Sequence, residues 1–85
     1  DAPDAPEIDP DGGTFGAQTD ITITVPENCK VYYTWDSSDP SAASTEYTAP
    51  IPVPEGNNVL SVIAIDQNTG KCSDIYRSRF EFYMN

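Results

Sequence analysis

Eighty-five residues make one small domain, too short to enclose a sizeable catalytic pocket within its own core. Fourteen acidic side chains against four basic ones, with no histidine, leave a net charge of −10, a field that repels phosphate backbones and anionic headgroups. Nucleic acid and membrane surfaces are therefore poor partners, and no run reaches the ~20 apolar residues that direct membrane insertion requires.

The chain opens on "DAPDAPEIDP", in which prolines at 3, 6 and 10 favour an extended, self-repelling tether. Residues 1–7 read as an acidic, Pro-rich linker and residues 8–85 as a single domain, so the whole is expected to be a domain of a longer protein. Gly12-Gly13 supplies backbone freedom for a kink before Thr14-Phe15 joins a sheet. "TDITITV" (19–25) alternates strictly, with Ile21, Ile23 and Val25 on one face and threonines on the other, which marks a half-buried strand. "PENC" turns the chain, and "KVYYTWD" (30–36) alternates again, with Val31, Tyr33 and Trp35 in phase.

Asp36, Ser37, Ser38, Asp39 and Pro40 follow. Short polar side chains that bond their own backbone, closed by a proline, make a reversal without any ligand. The competing reading is a calcium loop. That chemistry needs six to eight oxygens, with acids at alternate positions and a closing bidentate glutamate. Here the two acids stand three positions apart and no such glutamate follows, so the stretch reads as a structural turn. Further on, Pro50, Pro52 and Pro54 withhold N–H donors at every second position, which restricts the segment to an edge strand or an extended crossover. "NVLSVIAID" (58–66) is the most apolar run and reads as a central strand. "DIYRSRFEFYM" (74–84) closes the domain with Tyr76, Phe80 and Phe82 in phase. No stretch carries helical periodicity, and about seven short strands with frequent turns predict an all-β sandwich.

In that order and spacing, "GGTF", "ITITV", "VYYTWDSSDP", "STEYTAPI" and "LSVIAID…SD" resemble the chitobiase/β-hexosaminidase C-terminal domain family, over residues 8 to about 82. The resemblance implies an immunoglobulin- or fibronectin-III-like antiparallel β-sandwich. It also implies a non-catalytic accessory module of secreted or surface-anchored bacterial proteins, located outside the cytoplasm. One departure is visible: the usual Asp-Gly-Ser after the aromatic strand is Asp36-Ser37-Ser38 here. Position 37 then either needs no positive φ or carries a little strain.

In such a sandwich the strands at 30–36, 58–66 and 74–84 are neighbours, and the turns holding Cys29 and Cys72 lie at one end. A disulfide between these thiols is the expectation outside the cytoplasm, with two unpaired thiols as the alternative. The same strand phases turn Tyr32, Thr34, Val59, Ser61, Ile63, Ile65, Ile75, Arg77 and Arg79 outward onto one face. An aromatic, several aliphatics and two of the four basic residues set this face apart on an acidic surface. Tyr32, Thr34, Ile63, Ile65, Arg77 and Arg79 are its candidate contact residues.

Neighbouring domains of the parent protein are the first expected partners, and a glycan or protein ligand the second. A carbohydrate-binding role on cell-wall or chitin-like glycans would need exposed aromatics, for which Tyr32, Tyr76, Tyr83 and Trp35 are the candidates. No histidine, no cysteine–histidine pair and no glycine-rich phosphate loop is present, so neither an enzyme nor a cofactor is expected.

Overall fold

The computed structural model describes residues 2–84. Among them are eight strands and no helix: β1 (Glu7–Asp9), β2 (Gly13–Phe15), β3 (Asp20–Thr24), β4 (Cys29–Thr34), β5 (Thr45–Glu46), β6 (Ile51–Pro52), β7 (Gly56–Asp66) and β8 (Tyr76–Phe82). They form a three-stranded sheet, β1-β3-β6, and a five-stranded sheet, β2-β8-β7-β4-β5. All pairs are antiparallel except β2 with β8. This is an immunoglobulin-like sandwich.

Alternation in sequence becomes sidedness in space. Ile21 and Ile23 of β3 are buried while Thr22 and Thr24 are exposed. Val25, one position beyond the strand, is 41% exposed, because the pairing that fixed the phase has ended. Val31 of β4, Leu60, Val62 and Ala64 of β7, and Phe80 and Phe82 of β8 close the core from the other sheet. Burying each larger side chain contributes about 1.5–3 kcal/mol. Phe80 is the hub: Phe15 stacks on it at 6.1 Å and Trp35 meets it edge-on at 5.8 Å.

Tyr76 shares the phase of Phe80 and Phe82 but is 37% exposed, at the first residue of β8. Its hydroxyl donates to the Asp11 carboxylate instead. β1 begins at Glu7, opposite Thr24, and Pro6 before it is buried. The proline-rich segment supplies β6 at the edge of the smaller sheet, and β7 is central between β4 and β8.

The register fixes which end is which. Glu7, Thr24, Cys29 and Asp66 lie at one pole, because Glu7 pairs with Thr24 and Cys29 with Asp66. Phe15, Gly56 and Phe82 lie at the other. The chain thus enters the sandwich at one pole and leaves it at the opposite one, in a molecule 46 × 21 × 17 Å in extent.

Candidate functional site

Two surfaces bear chemistry: the outer face of the five-stranded sheet, and a groove where β4 runs into its turn. On the outer face the register sets Thr34, Ser61 and Arg77 in one row and Tyr32 opposite Ile63 in the next. Outward does not mean accessible here. Ser61 is 0% and Ile63 6% exposed, so Ile63 presents no contact surface of its own. Both sit on the central strand, between β4 and β8. Tyr32, Thr34 and Ile65 are half-buried, and Arg77 and Arg79 are exposed.

Arg77 is already engaged. One guanidinium nitrogen donates to the Ser61 hydroxyl and to the Ser37 and Ser38 carbonyls, at 3.3 and 3.5 Å for the carbonyls. The other pairs with Asp39. Thr34 joins it, its hydroxyl donating to the Ser38 carbonyl at 2.8 Å. The Asp36–Asp39 turn is therefore strapped back across the sheet, and Asp36 itself bridges to Val59. Within the turn, Asp36 Oδ1 accepts the Ser38 N–H at 3.1 Å and the Ser38 hydroxyl at 2.5 Å. These bonds, the side-chain one foremost, hold the Asp36 carboxyl below its usual range. Ser37 has φ +68°, so the serine that replaces glycine sits in the left-handed region after all. Pro40 is buried behind the turn. Ser61, placed on this face by the strand phase but not among its candidate contact residues, is the buried anchor of the cluster.

The groove, about 360 Å³, lies beside the turn. Tyr33 and Thr34 come from the end of β4, Trp35 and Asp36 from the turn that follows, Ser44 from the approach to β5 and Thr45 from its first residue. It combines part of an indole with hydroxyls and one carboxylate. Tyr47, just past β5, ties the two sheets together: its N–H donates to the Val31 carbonyl at 2.7 Å, and its hydroxyl accepts the Ile23 N–H at 3.1 Å. That assigns Tyr47 to the corner rather than to a ligand.

The structure does not bring the two cysteines into a disulfide; both thiols are free. Cys29 pairs with Asp66 on one side of β7, whereas Cys72 bridges Ile65 on the other. Two ladder spacings put the strands carrying them roughly 10 Å apart. A disulfide tolerates Cα separations up to about 7 Å. Cys29 also shares the core-facing phase of Val31, and Cys72 the outward phase of Ile65. Burial, and then the Asp66 carboxylate, push the Cys29 thiol pKa upward. Among the described residues no group of three or more histidine, cysteine or carboxylate side chains is arranged to hold a metal ion. No helix there is long and apolar enough to cross a membrane.

Curated proteins and solved structures offer no match to the chain. A family model does match, over residues 10–77, from the crossover before β2 to the second residue of β8. The chain therefore belongs to the chitobiase/beta-hexosaminidase C-terminal domain family, an accessory domain of glycosidases that is not itself catalytic.

Proposed function

We propose that the chain is a non-catalytic in-line module that holds neighbouring domains of a secreted or surface-anchored bacterial protein at a fixed separation. One observation carries the reading: β1 enters at one pole of an elongated sandwich and β8 leaves at the other, so whatever flanks it is separated by the sandwich's length. Family membership supports an accessory role beside a catalytic domain. On the outer face, Lys30 and Ile65 lie next to the Cys29–Asp66 pair at the entry pole, where a domain seated at that pole can touch them. Small-angle scattering of the parent protein, with and without this module, tests the reading. Deletion is expected to shorten the maximum dimension by about the length of the sandwich. An unchanged dimension would show a module folded against its neighbours instead of between them.

The groove favours a second reading, weak binding of a neutral glycan with Trp35 as platform, because an indole beside hydroxyls suits a sugar ring. Titration with neutral oligosaccharides, followed by tryptophan fluorescence and amide shifts, checks it. Shifts at Trp35, Ser44 and Thr45 would support it, and a silent spectrum across the series would remove it.

A further inference from the structure

The crossover from β1 to β2 is held to β8 by more than strand pairing. Gly13, Thr14 and Phe15 run parallel to Phe80, Glu81 and Phe82, and the Tyr83 N–H donates to the Phe15 carbonyl at 3.3 Å. Upstream, the Asp11 carboxylate accepts the Ser78 hydroxyl at 2.7 Å on one oxygen and the Tyr76 hydroxyl on the other. Between them Gly12, at φ +79°, passes so close that a Cβ would lie 2.8 Å from the Arg79 carbonyl oxygen and the Ser78 hydroxyl. Residues 11–15 therefore lie bonded along residues 76–83 as one continuous seam.

The seam joins the first part of the chain to the last, and the two strands are parallel. Tension applied at the two ends draws Gly13 toward the entry pole and Phe82 toward the exit pole, so the strands slide along each other. Every bond of the seam is then loaded at once. β1 is loaded in the same sense against β3, where three residue pairs and the Thr22 hydroxyl on the Asp9 carbonyl oppose it. An antiparallel pair pulled from adjacent ends behaves differently: it opens one rung at a time.

We infer that this domain has a further function as a mechanical clamp: it bears tension between its flanking domains, with Asp11–Phe15 sheared against Tyr76–Phe82 as the load-bearing contact. The inference rests on the in-line reading above and adds to it, since a spacer can be straight without being strong.

Single-molecule force spectroscopy on the full chain tests it, with tethers in two geometries. Terminal tethers load the seam in shear. Tethers at Glu55 and the C-terminus pull on adjacent ends of β7 and β8, where Gly56 faces Phe82, and unzip that pair. The unfolding force is expected to be higher in the terminal geometry; an equal or lower force there overturns the inference with no variant needed. Forced unfolding is governed by the unfolding rate. Asp11→Ala removes two hydrogen bonds to a charged acceptor, so unfolding at a fixed terminal load should be about fivefold or more faster. In the unzipping geometry the rate should change little. An equal acceleration in both geometries would reduce Asp11 to general stability and sink the clamp. Scattering can still report an extended module if the clamp fails, so the two proposals fail separately.

Discussion

At Ser37 the backbone adopts φ +68° in a residue that carries a Cβ. The left-handed region costs an L-residue about 1–2 kcal/mol, while glycine gives back about 0.5–1 kcal/mol in unfolded-chain entropy. Ser37→Gly should therefore raise stability by up to about 1 kcal/mol in denaturant titration. The Ser37 side chain is exposed, so its loss offsets nothing visible. An unchanged or lowered midpoint would mean that the turn relaxes without strain. The two thiols differ in the same local way. Cys72 is exposed, whereas Cys29 is half-buried and its pKa is raised. Since the thiolate is the reacting form, iodoacetamide near neutral pH should label Cys72 well before Cys29, and both without prior reduction. Mass spectrometry of the unreduced protein reads both outcomes, and a mass two hydrogens light would contradict the separation of the two strands.

Among the elements, the strands were legible in sequence and the cover over them was not. Alternation at 19–25 and 30–36 gave β3 and β4, because a period of two is a backbone property, and the unbroken apolar run at 58–66 gave the central strand β7. Which outward residues stay accessible depends on what folds back over the sheet. No periodicity announces that Arg77 spans Ser61 and the Ser37 and Ser38 carbonyls. The strap also makes the turn sensitive to β8. Arg77→Ala removes the guanidinium's bonds to the Ser61 hydroxyl, the Ser37 and Ser38 carbonyls and Asp39 together, which should cost about 1–3 kcal/mol. Arg77→Lys should not restore the loss, because one ammonium lacks the fork that reaches two carbonyls and a hydroxyl together. Chemical denaturation of the two variants checks this; full rescue by lysine would reduce the strap to charge alone. Two turns also contribute to the pH dependence. The pKa values of Asp36 and Asp66 are both lowered, the first by the Ser38 hydroxyl and N–H, the second by the Asn68 and Thr69 N–H groups. A lowered folded value means stabilisation fully present above the unfolded carboxyl value of about 3.9 and lost as pH falls through the folded value. Replacing both by asparagine should flatten the loss of stability below about pH 4, as followed by urea midpoints across pH. An unaltered acid limb would assign that loss to other carboxylates.

For the whole molecule, charge is unevenly shared between the two sheets. Lys30, Arg77 and Arg79 are all on strands of the five-stranded sheet, and Lys71 is in the turn joining two of them. The three-stranded sheet carries Glu7, Asp9 and Asp20 with no cation. Only Arg77 forms an ion pair among the described residues, so most of the net charge of −10 acts as self-repulsion. At about 10 mM salt the screening length is roughly 30 Å, longer than either short dimension of the sandwich, and carboxylates on both sheets repel one another. At about 150 mM it falls to roughly 8 Å, less than the separation of the two outer faces. Raising sodium chloride across that range at neutral pH should increase Tm. Glu7→Gln with Asp9→Asn should raise Tm at low salt and reduce the salt response, because that edge strand has no cation of its own to offset its charge. A thermal melt series on both proteins decides the matter. A Tm that falls with salt would mean that attraction between the cation-bearing face and the acidic remainder outweighs the repulsion. The charge asymmetry would then stabilise the fold instead of straining it.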